Sequence, residues 1–290
     1  MRSVAVRLSL PSGVAPPLVP ATDLPGAQKL AGRVAAWNGL CTPPPPPANG
    51  RNMKLLHIIR HAQGYHNVDA AVMRDPNGHD ARLTDDGKKQ CVTLRQNIAR
   101  LKPNLILTSP LTRTMQTAML ALEPQLSAGV PLVALEPLRE TLNYVCDSRR
   151  PISTLSAEFP KVDFAACPDD HDELWNHYER LHGSQEAFQA HRESADLPHL
   201  AERARSAFAW IGARPEAEIV LVGHQAFMWN VLNMGRSDGP EERLRGLPPV
   251  VAYGGADDAE HQDAAAGAFE TWISSPFANC ECRSVWAEFY

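Results

Sequence analysis

The chain lacks several things that would have fixed its class at once. Nowhere in its 290 residues is there an apolar run of about 18, which removes a membrane-spanning helix. The six cysteines, Cys41, Cys91, Cys146, Cys167, Cys280 and Cys282, form no C-x-x-C pair and no regular spacing. Neither a zinc ribbon nor a disulfide framework is indicated, and a reducing compartment fits. Basic residues are not in excess: 28 Lys and Arg stand against 33 Asp and Glu, and a net charge of −5 offers no global field to nucleic acid. With 44% hydrophobic and 21% charged residues, the chain has the composition of a globular protein long enough for one large core or two modest ones.

Acid is nearly missing from the first fifty residues. Asp23 stands alone against Arg2, Arg7, Lys29 and Arg33, and the stretch closes on Pro43 to Pro47. Without those four basic and one acidic residue the rest holds 24 basic and 32 acidic, a net −8. The reading is a disordered leader over residues 1–52, with the character of a plastid or mitochondrial transit peptide followed by a polyproline spacer, ahead of one domain over 53–290.

From Met53 onward strand and helix signals alternate. Leu55 to Ile59 is a short apolar run suited to a parallel strand buried on both faces, and Leu105–Thr108, Val133–Leu135 and Ile219–Val222 repeat the signal. Thr84 caps a helix with Asp85 and Asp86 in its first turn and Cys91, Leu94, Ile98 and Leu101 at helical spacing, stopped by Pro103. Ser109-Pro110 reads as the start of a helix through Leu122, residues 171–213 as two helical pieces, and Ala226–Met234 as another helix. Residues 235–268 read as a long polar loop, and Ser284–Phe289 as a last edge strand. This alternation predicts an α/β three-layer sandwich, a mostly parallel central sheet with helices on both faces, carrying a helical cap insertion from about Cys146 to Asp196.

Several motifs lose on context. Gly235-Arg236-Ser237-Asp238-Gly239 matches a serine-hydrolase elbow, but a helix precedes it and Pro240 follows, so Gly235 reads as a helix end. The acidic run Asp169 to Glu173 could hold a divalent cation, yet Leu174, Trp175 and Tyr178 follow at helical spacing, as at a solvated helix start. Trp175 and Tyr178 read as core or pocket wall. His57 and His61 lie four apart without a third ligand, and His57 reads as a hydrogen-bonded core histidine. His66 reads as a loop residue. Arg149 and Arg150 read either as solvated or as grips on a substrate's non-reacting part.

One constellation is stronger. Arg60-His61 ends the first strand, His224 stands in the same position after Ile219–Gly223, Arg113 lies in the first turn after the Leu105 strand, and Glu140 follows the Val133 strand. Ligands of parallel sheets bind at this carboxyl edge. A neutral imidazole can attack phosphorus, guanidinium groups can hold its oxygens, and a carboxylic acid can protonate the leaving oxygen.

Leu56 to His61 with Asn67, Leu83-Thr84-x-x-Gly87 with Gln90, Ser109-Pro110-Leu111-x-Arg113 with Thr117-Ala118, Glu140, and Gly223-His224 together resemble the histidine phosphatase (phosphoglycerate mutase-like) superfamily over roughly residues 53–290. The resemblance implies a metal-independent phosphatase without cofactor, acting on a small phosphorylated metabolite through a phosphohistidine, with neither nucleic acid nor membrane as partner. It implies His61 as nucleophile, Arg60, Asn67, Arg113 and His224 around the phosphate, and Glu140 as proton donor. A phosphoglycerate-type mutase, or a non-catalytic member that binds phosphorylated ligands or proteins, is the alternative. Two departures stand out. Ala62 replaces the glycine usual after the first histidine, and Thr141 to Ser148 lacks the mutase pattern, which favours the phosphatase branch and leaves Asp147 as a second candidate acid.

Overall fold

The computed structural model describes residues 6–9, 52–75, 77–184, 192–193, 196–253 and 270–290. Eight strands, β1 (Val6–Ser9), β2 (Asn52–Arg60), β3 (Leu105–Thr108), β4 (Leu132–Leu135), β5 (Val162–Ala166), β6 (Glu218–Gly223), β7 (Val251–Tyr253) and β8 (Cys282–Phe289), form one sheet in the order β5-β4-β3-β6-β2-β8-β1-β7. From β5 to β2 every pairing is parallel; β8 runs antiparallel to both β2 and β1. The helices are α1 (Tyr65–Val68), α2 (Asp85–Asn97), α3 (Thr112–Ala121), α4 (Glu123–Ser127), α5 (Ile152–Glu158), α6 (Glu173–His182), α7 (Leu197–Gly212), α8 (Gln225–Asn233) and α9 (Glu242–Arg245).

The apolar strand runs are continuous because both faces of the sheet are covered, and alternate side chains divide between two cores. Leu56, Ile58, Leu105, Leu107, Ile219 and Leu221 pack with Leu200, Ala204 and Ile211 of α7 and with Phe227 and Val231 of α8. Ile59, Ile106, Val220 and Val222 point the other way, to Cys91 and Leu94 of α2 and Met115 and Ala118 of α3. The three-layer α/β sandwich expected from the sequence is therefore present.

Five expectations need correction. β8 is not an edge strand: it lies between β2 and β1, paired with β2 from Asn52↔Phe289 to Ile59↔Cys282, and Val285, Ala287 and Phe289 are buried. The expected cap from Cys146 to Asp196 contains β5, which pairs with β4 and so belongs to the main sheet. α3 starts at Thr112 rather than at Pro110, because the Asp80 carboxylate accepts Thr112 N–H at 2.6 Å and fixes the first turn from outside it. The polar stretch after Gly235 includes α9 and β7.

The fifth correction concerns the leader. Val6–Ser9 is a strand between β8 and β7, with Val6 at 0% and Leu8 at 1% exposure, and Asn52 already belongs to β2. For those residues the expected disordered segment fails, since Val6 and Leu8 point into the same core as α7. Residues 1–5 and 10–51, with the rest of the leader reading, lie outside the described residues.

Leu8→Ala should accordingly lower the free energy of unfolding by about 2–5 kcal/mol, the ordinary result of emptying a buried leucine site. Urea denaturation of the full chain measures it; an unchanged midpoint would show that β1 adds nothing to the core.

Candidate active site

Parallel register builds the site. Arg60 pairs with Gly223 across β2 and β6, Thr108 pairs with Val222 across β3 and β6, and His61 N–H donates to Gly223 C=O at 2.9 Å. The residues that follow these strands, His61, Ser109 and His224, therefore leave the sheet together at its carboxyl edge. There β6 separates β2 from β3, the kind of strand-order break where such sheets bind ligands.

His61 is buried. Its Nδ1 lies 2.7 Å from Ala62 C=O, which can only accept, so Nδ1 carries the proton and Nε2 keeps its lone pair. The loop after it is clamped by α2. Thr84 N–H donates to Gln63 C=O, Thr84 Oγ1 donates to Gln63 Oε1 and accepts Gly87 N–H, and Gln63 N–H donates to Gln90 Oε1. A Cβ on Gly87 would come within 2.1 Å of Gln63 O, so glycine is required for this close approach. The spacing Thr84-x-x-Gly87-x-x-Gln90 is thus the footprint of a helix end gripping the histidine loop. Ala62 fits because its φ is not positive; fully buried, it donates its N–H to Thr117 Oγ1 at 3.0 Å.

Two guanidinium groups and a second histidine join it. Arg113 is fully buried in α3, its Nη1 donating to Cys146 C=O at 2.6 Å and its Nη2 to Asp147 at 3.0 Å. Arg60 donates to Phe277 C=O at 2.7 Å. The Nε of each arginine is buried without a partner, as are both ring nitrogens of His224. The His224 ring lies 5.2 Å from that of His61, centroid to centroid. Burial, then the charge of Arg113, pushes both imidazoles well below the usual histidine range, so both are neutral at neutral pH.

The carboxylates take different positions. Glu140 reaches the start of α8: Oε1 accepts Thr141 N–H at 2.8 Å and Phe227 N–H at 2.7 Å, and Oε2 accepts Ala226 N–H at 3.1 Å. Burial and then neighbouring Asp147 push it upward while Arg113 and the backbone donors pull it back. Asp147 is committed to Arg113, with Oδ2 accepting Tyr144 N–H at 3.1 Å.

Asn67 is less central than the resemblance implies. Exposed on α1, its Oδ1 accepts Gly64 N–H at 3.0 Å and an Asn279 Nδ2 proton at 3.4 Å, leaving only its own Nδ2 for a ligand. Asn279, which no motif marked, also donates to His61 C=O at 3.0 Å. His66, read as a loop residue, has its ring 5.3 Å from that of His61. Its i+5 placement after the nucleophile candidate on a one-turn helix was the available signal.

The remaining candidates are structural. His57 bonds Ser284 Oγ and Glu218, fully buried. Asp172 caps α6 and pairs with Arg139, while Asp170 accepts Ser153 N–H. Arg149 is buried on Glu136 and on the carbonyls of Asp169, Asp170 and His171; Arg150 pairs with Asp80 and Glu158. Arg149 is thus not solvated, and both guanidinium groups are engaged within the chain. Trp175 and Tyr178 form a satellite core with Leu142 and Val145, and Gly235 has φ +75° just past α8.

The sequence model of the histidine phosphatase superfamily (branch 1) matches residues 56–247, and the chain belongs to that superfamily. The "Phosphoglycerate mutase-like protein" of Arabidopsis thaliana is 32% identical over 214 residues, 62% of this chain and 74% of its own. The "Probable phosphatase" of Schizosaccharomyces pombe is 29% identical over 121 residues, 40% of this chain and 55% of its own. Among solved structures, mycobacterial glucosyl-3-phosphoglycerate phosphatase in complex with VO3 aligns with a TM-score of 0.41 at 17% identity, covering 80% of this chain and 92% of that one.

The buried imidazoles set a pH dependence of stability. Unfolded histidines titrate near 6.5, whereas His61, His66 and His224 are depressed in the folded chain. Below about pH 6.5 the unfolded state binds more protons, so stability falls on acidification, by on the order of 1 kcal/mol per histidine per pH unit. Glu140 and Asp147, raised by burial, bind more protons folded than unfolded above the ordinary carboxylate range and so offset part of this fall, two groups against three. Denaturation midpoints in phosphate-free buffer at pH 7.5 and 5.5 should show the fall, and a flat profile would refute the neutral histidine cluster.

Proposed function

We propose that this protein is a phosphatase that hydrolyses a phosphomonoester of a small metabolite through a phosphohistidine on His61. The observation that carries the reading is the His61 ring itself. Nδ1–H is anchored on Ala62 C=O, leaving Nε2 as an in-plane nucleophile beside a second neutral imidazole with two unpartnered nitrogens. The "phosphatase" in the name of one relative agrees with it.

In this reading Nε2 attacks phosphorus and the P–O bond to the substrate breaks. Arg60, Arg113 and His224 hold the phosphoryl oxygens as charge develops. Protonated Glu140 gives its proton to the departing oxygen and becomes a carboxylate. The imidazolium formed on His61 keeps its Nδ1–H on Ala62 C=O. Water then gives a proton to Glu140 and attacks the phosphohistidine, releasing orthophosphate and neutral His61. The two arginines supply the positive charge that a metal would otherwise supply, so turnover is expected in excess chelator. Asp147, spent on Arg113, serves as that arginine's positioning residue and leaves the acid role to Glu140. Organellar targeting by the first fifty residues fits only if processing spares Val6–Ser9, an interior strand.

Labelled substrate should leave acid-labile, base-stable phosphate on the protein, and His61→Ala should abolish label and turnover together; label on a serine would sink the mechanism. Transfer of the label to a second substrate hydroxyl instead of water would establish a mutase.

Glu140→Gln should slow phosphorylation by about 10²- to 10⁴-fold on an alkyl phosphate and far less on p-nitrophenyl phosphate, whose leaving group needs no proton. Asp147→Asn should mainly raise KM, equally for both substrates. Single-turnover kinetics separate the two, and a leaving-group dependence found only in Asp147→Asn would exchange the assignments.

A further inference from the structure

His66 has no assignment in the reaction above, yet it sits inside its machinery. α1 is one turn, held by Tyr65 N–H on Arg82 C=O and by Gly64 N–H on Asn67 Oδ1, and this turn sets the His66 ring against the backbone of Gly64. A Cβ at residue 64 would meet His66 Nδ1 and Cε1 at 2.7 Å, so glycine there makes room for the ring. Nδ1 is enclosed without a hydrogen-bond partner, and the ring stands 5.3 Å from that of His61 at 45°. A filler of this space would carry no polar atom, since an enclosed unpaired nitrogen is destabilising.

The charges around this ring come from separate elements: Arg60 at the end of β2 and Arg113 on α3, with the neutral rings of His61 after β2 and His224 at the start of α8. Burial and the two arginines push His66 down to about 2, so it is neutral across the working range. A phosphate dianion bound to those same arginines reverses the sign of the local field. It also brings acceptor oxygens, which a neutral imidazole can serve with one N–H and an imidazolium with two.

We propose that His66 is a phosphate-binding residue of this site, taking up a proton from solvent as the anion binds and donating a hydrogen bond to a phosphoryl oxygen. The proposal rests on the phosphatase reading and adds a third histidine with a role distinct from the other two: His61 must stay neutral to attack, whereas His66 gains by charging. Binding of the dianion and protonation of the ring are then one event, and affinity for the dianion strengthens as pH falls from 8 to 6.

The test is titration calorimetry of orthophosphate at pH 6.5 in two buffers of different ionisation enthalpy, with wild type, His66→Gln and His66→Asn. Orthophosphate is largely monoanionic at this pH and gives up a proton to bind as the dianion, so wild type should release less than that proton, because His66 takes one up. The variants should release roughly half a proton or more beyond what wild type releases and bind the dianion about tenfold more weakly at pH 6, the scale of one charge-assisted hydrogen bond, with the gap narrowing toward pH 8. Histidine ¹⁵N spectra of the unaltered protein read the same event without mutation, as a His66 ring that becomes doubly protonated when phosphate is added. Proton release and pH dependence unchanged in the variants, or a His66 ring that stays neutral with phosphate bound, would overturn the proposal while leaving the phosphatase reading intact. Failure of wild type to bind phosphate and to hydrolyse any phosphomonoester would overturn both.

Discussion

Arg113 is a cation with no exposed surface, and much of the structure around the site follows from that burial. An unpaired guanidinium in the interior would be strongly destabilising, so Asp147 and the Cys146 carbonyl must stand beside it. The 145–147 turn is thereby fixed in place, its Asp147 C=O accepting a proton of Arg139 Nη2. Arg139 in turn holds Asp172, the cap of α6, and Glu136, which also holds Arg149. A chain of ion pairs and one carbonyl hydrogen bond thus runs from α3 to α6, and Asp172 of the acidic run is consumed in it. At the other end Asp80, at φ +52°, sets the first turn of α3 through Thr112 and is itself paired with Arg150.

The same charge shapes the histidines. Arg113 is the largest Coulombic influence on His61, His66 and His224, and it acts with burial to keep all three neutral. A pocket that holds two guanidinium groups and three uncharged imidazoles in reserve is matched to a ligand that arrives with two negative charges. Its unpartnered Nε atoms of Arg60 and Arg113 and ring nitrogens of His66 and His224 are donors, or can become donors, for several oxygens at once.

How much of this was legible in the sequence depends on the range of the interaction. Thr84 as a cap, Gly235 past a helix and the apolar runs of β2, β3, β4 and β6 are signalled by neighbours a few residues away, and they stand as expected. The residues Arg60, His61, Arg113, Glu140 and His224 were legible because parallel strands of one sheet end at one edge. What was not legible rests on distant partners. Val6-Arg7-Leu8-Ser9 resembles a basic amphipathic leader until β7 and β8 lie on its two sides, and β8 looks like an edge until β1 is placed. Val162–Ala166 has an Asp at its second position and pairs with β4 only along its outer flank. Asp80, Asn279 and the commitment of Asp147 to Arg113 act across 32 to 218 residues of sequence, beyond any local pattern.

Glu140 shows why such long-range placement matters for chemistry. Three backbone N–H groups, two of them at the positive end of α8, would by themselves keep a carboxylate ionised far below neutrality. Burial and the nearby Asp147 charge push the other way, and these outweigh the donors. A group asked to give a proton in one half-reaction and take one in the next needs its two protonation states close in energy. Influences opposed in this way work toward that balance, where either alone would work against it. Moving α8 would remove the donors and lock Glu140 as an acid, and removing the charge of Asp147 would drive it toward a permanent carboxylate. In the proposed reaction the acid–base role of Glu140 therefore depends on the β4–α8 juncture and the Arg113–Asp147 pair together, not on the glutamate alone.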